Sequence, residues 1–254
     1  MSTIKPPIGA TLNRSHPLAR GLVGAWLLNE GGGDIAHNCA NICPALDLNF
    51  YNHGVAWTPG DGGAVDFGGE ADQDSAAMTP AIESTQHFTL LCRLRADAVS
   101  SVDGIVATRS PDGNGLICSS QSGYPLTYMW GGSGWNLSTG LFFDDDEWHQ
   151  AAMVITPTVG YVWLDQNVYA NTQSHSAKAF TGRWEVGRDP GYSSGRWFDG
   201  QVSCVMMWQR ALPVSEIRDL YRNPYAMFER RRTLYVPAGT TTGTPYYYHR
   251  RFAA

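Results

Sequence analysis

The chain is poor in charge and in long apolar runs. Asp, Glu, Lys and Arg make up 16% of its 254 residues, and no apolar stretch is long enough to cross a bilayer as a helix, so membrane insertion is not expected. The N-terminal MSTIKPPIGATLNRSHPLARG lacks the apolar centre of a secretory signal. The expectation is synthesis in a cytoplasm without entry into the secretory route. A formal net charge of −5 argues against a general nucleic-acid binder. Cysteine is scarce and odd in number, with Cys39, Cys43, Cys92, Cys118 and Cys204 in no regular framework. Cys92 and Cys204 sit inside apolar, strand-like runs, where reduced, buried thiols are expected. Helical periodicity is nearly missing too. Only Pro213 to Arg222 repeats at helical spacing, with Ile217, Leu220 and Tyr221 on one face and Pro224 barring continuation.

What is abundant points the other way. Hydrophobic residues reach 43%, with 9 Trp, 12 Tyr and 28 Gly, a composition for many short strands joined by tight turns. Strands are expected at Leu22–Asn29, Ala64–Phe67, His87–Asp97, Gly104–Arg109, Gly115–Ser120 and Pro125–Trp130. Further strands are expected at Trp148–Thr156, Gly160–Ala170, Arg183–Arg188 and Val202–Arg210, with a turn at Asp165-Gln166-Asn167. In the run from His87 the alternation puts Phe88, Leu90, Cys92 and Leu94 on one face and Thr89, Leu91, Arg93 and Arg95 on the other, which reads as a half-buried strand. The polar stretch between Glu30 and Trp57 reads as a wrap around a sheet edge. About a dozen strands fit one all-β domain of two stacked antiparallel sheets.

The ends differ from the body. Residues 1–20 carry Pro6, Pro7 and Pro17 without periodicity and read as an extended arm; residues 21–224 form the domain, and residues 225–254 a second arm. From Pro224 onward five Arg face one Glu, a net +4 that leaves −9 on the remainder. A basic strap of this kind reads either as a solvated tail or as a segment that docks on an acidic neighbour.

Little enzymatic chemistry can be assembled. Gly191-Tyr192-Ser193-Ser194-Gly195 matches G-x-S-x-G, but that motif needs a following helix, and a strand follows here. A glycosidase needs two carboxylates across a cleft; no E-x-D-x-x-E run exists, and Asp144 to Glu147 read as a solvated turn. His37, Cys39, Cys43 and His53 lack zinc-knuckle spacing. His149 reads as a packing residue. Tyr124, Tyr128, Trp130 and Trp135, around a Gly-rich loop, read either as core aromatics or as rings that stack on sugars, and they are the candidate glycan contacts.

In order along the chain, AVDFGGEADQDSAAM, HFTLLCRLRAD, DDDEWHQAAMVI, GYVWLDQNVYAN, EVGRD and WFDGQVSCVMMWQRALPVSEIRDLYRNP resemble the concanavalin A-like, laminin G-like (pentraxin-related) jelly roll over about residues 20–224. The resemblance implies a two-sheet antiparallel jelly-roll sandwich with one short C-terminal helix and extended arms. It also implies that Asp66, Glu70, Asp72 and Asp74 occupy the place of a metal-binding loop, which makes calcium the one cofactor to consider. Ser203 and Cys204 stand where the family carries an acidic pair, which speaks against that metal. Cys204, Met206 and Trp208 alternate with Val205 and Met207, so both faces of the last strand are apolar and a cover from an arm or another subunit is expected. The segment beyond Pro224, with its NPYAMFERRR junction, is similar to the tails that follow this domain in phage virion proteins. It implies a non-enzymatic virion protein, made in the host cytoplasm, whose partners are copies of itself and other virion proteins. The implied interface residues are Met206, Trp208, Tyr225, Phe228, Arg230, Arg231, Arg232, Tyr247 and Arg250. A lectin-like module binding host or environmental glycans is the alternative.

Overall fold

The computed structural model describes residues 4–40, 47–51, 55–72, 75–78, 82–109, 112–180, 182–191 and 196–229. Two antiparallel sheets stack face to face. The seven-stranded sheet runs in the order β12 (Leu126–Met129), β11 (Asn114–Cys118), β10 (Gly104–Thr108), β17 (Trp184–Val186), β7 (Ser75–Met78), β4 (Leu48–Tyr51) and β3 (Ile35–Ala36). The eight-stranded sheet runs β15 (Asn167–Thr172), β14 (Val159–Leu164), β13 (His149–Ile155), β9 (Phe88–Ala98), β18 (Asp199–Trp208), β6 (Ala64–Gly68) and β5 (Ala56–Thr58). Its remaining strand, β2 (Leu22–Trp26), also pairs with β18. Two small ribbons join β1 (Thr11–Leu12) to β19 (Phe228–Glu229), and β16 (Lys178–Phe180) to β8 (Ile82–Thr85).

The jelly-roll reading of the sequence holds, with more strands than the alternation announces. β3, β4 and β5 lie in the stretch expected to be an edge wrap. They are short, and β4 turns only Leu48 and Phe50 towards the core, too few apolar positions for a period of two to stand out. A four-residue helix, α1 (Gly69–Asp72), precedes α2 (Val214–Arg222).

Between the sheets lies one continuous core. β9 contributes Phe88, Leu90, Cys92 and Leu94 to it, and β18 contributes Val202, Val205 and Met207. A register shift between Val202 and Cys204 explains why Val202 and Val205, three apart, point the same way. Phe88, Trp130, Phe180 and Trp184 pack ring against ring at centroid separations of 5.2–5.8 Å, a dense centre for the sandwich.

The outer face of the eight-stranded sheet is apolar as well, and the chain covers it itself. Leu91, Ala152, Val154, Trp163, Cys204, Met206 and Trp208 pack under Ala10 and Leu18 of the N-terminal segment, Ile217 and Leu220 of α2, and Tyr225, Met227 and Phe228. β9 is thus buried on both sides in its first half, which corrects the half-buried reading. Thr89 is not solvated either: its Oγ1 donates to the Arg210 carbonyl and accepts from Leu212 N–H. Arg93 forks onto Asp61 at 2.7 and 2.9 Å, and Asp61 also accepts from Ser203 Oγ at 2.6 Å.

The N-terminal arm is held by specific bonds. Trp208 Nε1 donates to the Leu18 carbonyl at 2.7 Å, and Lys5 Nζ donates to the Gly63 and Ser203 carbonyls at 2.5 and 2.6 Å. Burial pushes the Lys5 ammonium down to a pKa of about 8. Met206, Trp208, Tyr225 and Phe228 are therefore interior residues of this chain and present no surface to a second subunit. The cover expected over Met206 exists, but it comes from within: from the N-terminal segment, α2 and the turn after it. Arg230, Arg231, Arg232, Tyr247 and Arg250 lie outside the described residues.

Candidate functional site

The seven-stranded sheet has a different outer face. Across it, the register aligns Met129, Gly115, Ala107, Glu185, Ala77, Asn49 and Ile35 in one row. Small residues flank Glu185 on both sides, so the row forms a shallow floor with a carboxylate in it. Gly115, at φ +136°, permits this close approach; a Cβ there would sit 2.1 Å from the Val106 carbonyl oxygen. On the β10–β12 half, Ala107, Ile117 and Met129 are fully buried. On the other half the residues of β17 and β7 are buried as well, and the side chains that reach solvent are Asn49 and Tyr51 of β4 and Arg183 just before β17.

β17 alternates Trp184 and Val186 inward with Glu185 outward, and Arg183 precedes it on the outward side. Thr108 Oγ1 donates to the Arg183 carbonyl at 2.6 Å, which fixes that backbone. The Arg183 guanidinium lies over the Tyr51 ring, 4.1 Å from its centre, while its Nε stands 3.0 Å from Glu185 Oε1. Both partners of this stack reach water: Tyr51 is 45% exposed and the Arg183 side chain 44%. Glu185 itself is buried, and that burial raises its pKa above the ordinary carboxylate value against the pull of Arg183 and then Arg188.

A second arginine cluster adjoins it. Asp189, wholly buried, receives a fork from Arg109 at 2.7 and 2.5 Å and a third bond from Arg196 at 2.9 Å. Arg188 stacks over Trp197 at 4.3 Å and lies 3.8 Å from Glu185 Oε2. Gly104 makes room for this segment, since a Cβ there would meet Asp189 N at 2.1 Å. This region thus brings Arg109, Arg183, Arg188 and Arg196 together with Glu185 and Asp189; Arg183 lies over the exposed Tyr51 ring and Arg188 over the buried Trp197.

The sequence-predicted glycan residues do not form one platform. Tyr128 and Trp130 belong to the core. Tyr128 Oη is tied into a polar network, receiving Asn171 Nδ2 at 3.0 Å and lying 3.0 Å from His175 Nε2. Trp130 Nε1 donates to the Ser176 carbonyl at 2.8 Å. Tyr124 is half-buried, and Trp135 is 40% exposed on its loop. Aromatic identity near a Gly-rich loop says nothing of which way a ring points, and here two of the four point inward.

Of the proposed metal loop only the Asp66 and Asp72 side chains can be placed. Asp66 accepts from Gln201 Nε2 at 3.0 Å, Glu70 and Asp72 belong to α1, and Asp74 lies outside the described residues. Among the described residues no three His, Cys, Asp or Glu side chains converge to hold an ion. Asp199 is raised above the ordinary carboxylate range by burial and by Asp97, Asp66 and Asp72 nearby. Of the zinc-like set, Cys43 and His53 lie outside the described residues, while His37 Nδ1 pairs with Asp47 Oδ2 at 2.9 Å. Cys39, Cys92, Cys118 and Cys204 are free thiols, and burial pushes the Cys39 thiol up to about 11.

His149 is more than a packing residue. Its Nδ1 lies 2.7 Å from Asp165 Oδ2 and its Nε2 2.8 Å from Asp145 Oδ1, and Asp165 Oδ1 accepts from Gln150 N–H. Held first by Asp165, then by Asp145, the imidazole pKa is pushed up to about 9. The Asp144–Glu147 turn is therefore clamped to the β14–β15 turn.

Solved structures share this architecture. Domain 4 of AbnA, an extracellular arabinanase of Geobacillus stearothermophilus in complex with arabinotriose, superposes with a TM-score of 0.62 at 11% identity, over 79% of this chain and 98% of that one. The binding domain of Paraclostridial Mosquitocidal Protein 1 gives a TM-score of 0.60 at 13% identity, over 80% of this chain and 52% of that one. Trypanosoma rangeli sialidase in complex with sialic acid gives 0.57 at 17% identity; the match covers 80% of this chain but only 33% of the sialidase. At these identities the likeness concerns the fold. No curated protein sequence matches the chain. The sequence profile of the Laminin_G_3 family matches residues 68–218, more than half of the length and both of the strands, β9 and β18, at the centre of the eight-stranded sheet. This chain belongs to the concanavalin A-like lectin/glucanases superfamily.

Proposed function

We propose that the chain is a non-catalytic carbohydrate-binding module and that its glycan site is the outer face of the seven-stranded sheet around Tyr51 and Arg183. One observation carries the reading: an exposed tyrosine on a sheet floor, with an arginine fixed across it by a neighbouring carboxylate. Sugars are recognised by such pairings, in which a ring packs against C–H groups and charged side chains bond the hydroxyls. The superfamily and the arabinotriose complex of a similar fold support it. Hydrolysis would need two carboxylates facing each other across the scissile bond, one of them protonated. Here Glu185 is bracketed by Arg183 and Arg188, and Asp189 is engaged by Arg109 and Arg196. The intact chain should retain labelled glycans on an array, and Tyr51→Ala should abolish retention while its circular dichroism stays native. Binding is expected to persist in EDTA. An array with no retained glycan, or an unchanged Tyr51→Ala, overturns the reading.

A virion setting is the second reading, supported by the resemblance of the NPYAMFERRR junction to phage virion tails. In it the module decorates a capsid or tail, without nucleic-acid contact or membrane insertion, and residues 230–254 dock on copies of the chain or on other virion proteins. Deleting 230–254 should then release a soluble domain that binds glycans but no longer joins particles. Retained incorporation would end this reading.

A further inference from the structure

We infer that the sugar held at this face is an acidic one, and that Arg183 grips its carboxylate. The inference rests on the glycan reading above and narrows it to a ligand class.

Arg183 is restrained in two ways at once. Its Nε pairs with Glu185 Oε1 at 3.0 Å, and its guanidinium carbon lies over the Tyr51 ring, 4.1 Å from the centre. A guanidinium has five N–H donors in a rigid fork. With Nε turned to Glu185, the two terminal nitrogens remain, and among the described residues they have no further partner. Those nitrogens offer two parallel N–H bonds, the pattern that matches both oxygens of a carboxylate. Because the side chain is already held, little rotamer freedom is left to lose when a ligand arrives.

The charge of the surroundings agrees. Arg183 is the accessible charge beside Tyr51, its side chain 44% exposed, whereas its partner Glu185 is buried. A neutral glycan has no use for that exposed cation, whereas an anionic one is drawn to it. Glu185, being buried, keeps Arg183 in place without meeting the ligand as a second negative charge. Tyr51 remains exposed enough beside the fork to pack against the ring that bears the carboxylate.

The test uses the intact chain in calorimetric titrations with paired probes: sialyllactose against lactose, and oligogalacturonate against its carboxyl-reduced form. A sulfated oligosaccharide that carries no carboxylate is the third arm. At least one acidic probe should bind about ten-fold or more tightly than its neutral counterpart, the difference expected of a charge-assisted fork. Arg183→Gln should erase that preference, leaving residual binding at the neutral level. Arg183→Lys, which keeps the charge and loses the fork, should restore only part of it. Equal binding of acidic and neutral partners would overturn this inference and leave the sugar reading standing. Binding of the sulfated probe without either carboxylate would overturn the carboxylate assignment. No binding of any glycan would sink both. If Arg183→Gln fails to fold, the paired titrations of the unsubstituted chain still decide.

Discussion

The two outer faces of this sandwich come from strands of similar alternation and end in opposite states. Over the eight-stranded sheet, Leu91, Trp163, Met206 and Trp208 are sealed under the N-terminal segment, α2 and the Tyr225–Phe228 turn. Over the seven-stranded sheet, the β17–β7–β4 half keeps Tyr51, Asn49 and Arg183 in contact with water. The first face is apolar and closed; the second is charged, aromatic and reachable. Apolar outer positions called for a cover, and the chain supplied one from its own ends. The second face is closed over its β10–β12 half, and what stays open is the part around Asn49, Tyr51 and Arg183, where the proposed ligand would sit.

Substitutions on the two faces should therefore separate stability from binding. Trp208→Ala should cost about 3–5 kcal/mol through the cavity it leaves, seen as a large fall in the thermal midpoint, while any surviving folded protein still binds glycan. Asp61→Ala strands Arg93, and breaking a buried pair on one side costs on the order of 3 kcal/mol, measurable by urea titration. A smaller effect should come from His149. Its folded pKa of about 9 stands above the ordinary 6.5, so the folded state holds the proton more tightly. That contribution is complete below pH 6.5, declines as pH rises and is gone above about 9. It should amount to on the order of 2 kcal/mol, and His149→Gln should flatten the slope of stability against pH. Lys5 works in the opposite sense, because a pKa lowered to about 8 from 10.5 makes stability rise with pH between those values. Tyr51→Ala should shift stability by no more than about 0.5 kcal/mol, as surface changes do, yet remove glycan binding. If Trp208→Ala abolished binding in protein that remains folded, or Tyr51→Ala unfolded the chain, the division of labour between the faces would be wrong.

Much of the fold could be read from the residues. The hairpin of β13 and β14, the Asp165 turn and helix α2 lie where alternation and proline placed them. The site was far less legible. Tyr51 sits in a stretch whose polarity concealed β4, and Arg183 looked like the flank of a buried strand. The one usable signal was local: Trp184 and Val186 alternate with Arg183 and Glu185, which puts two opposite charges on one side of a strand. Tyr128 and Trp130 misled because composition cannot tell an inward ring from an outward one. His149 became legible only when Asp145 and Asp165, on two separate turns, were brought to either side of it.

The residues by themselves determined an all-β sandwich, since period-two alternation and turn chemistry are local properties of the chain. They also determined that β18 would be apolar on both sides. Only the tertiary structure decided what covers each face. Lys5 reaches the Ser203 carbonyl across 198 positions of sequence, and Arg183 meets Tyr51 from a different strand. Alternation tells how many faces a strand has, but what lies on a face depends on which distant segment packs there.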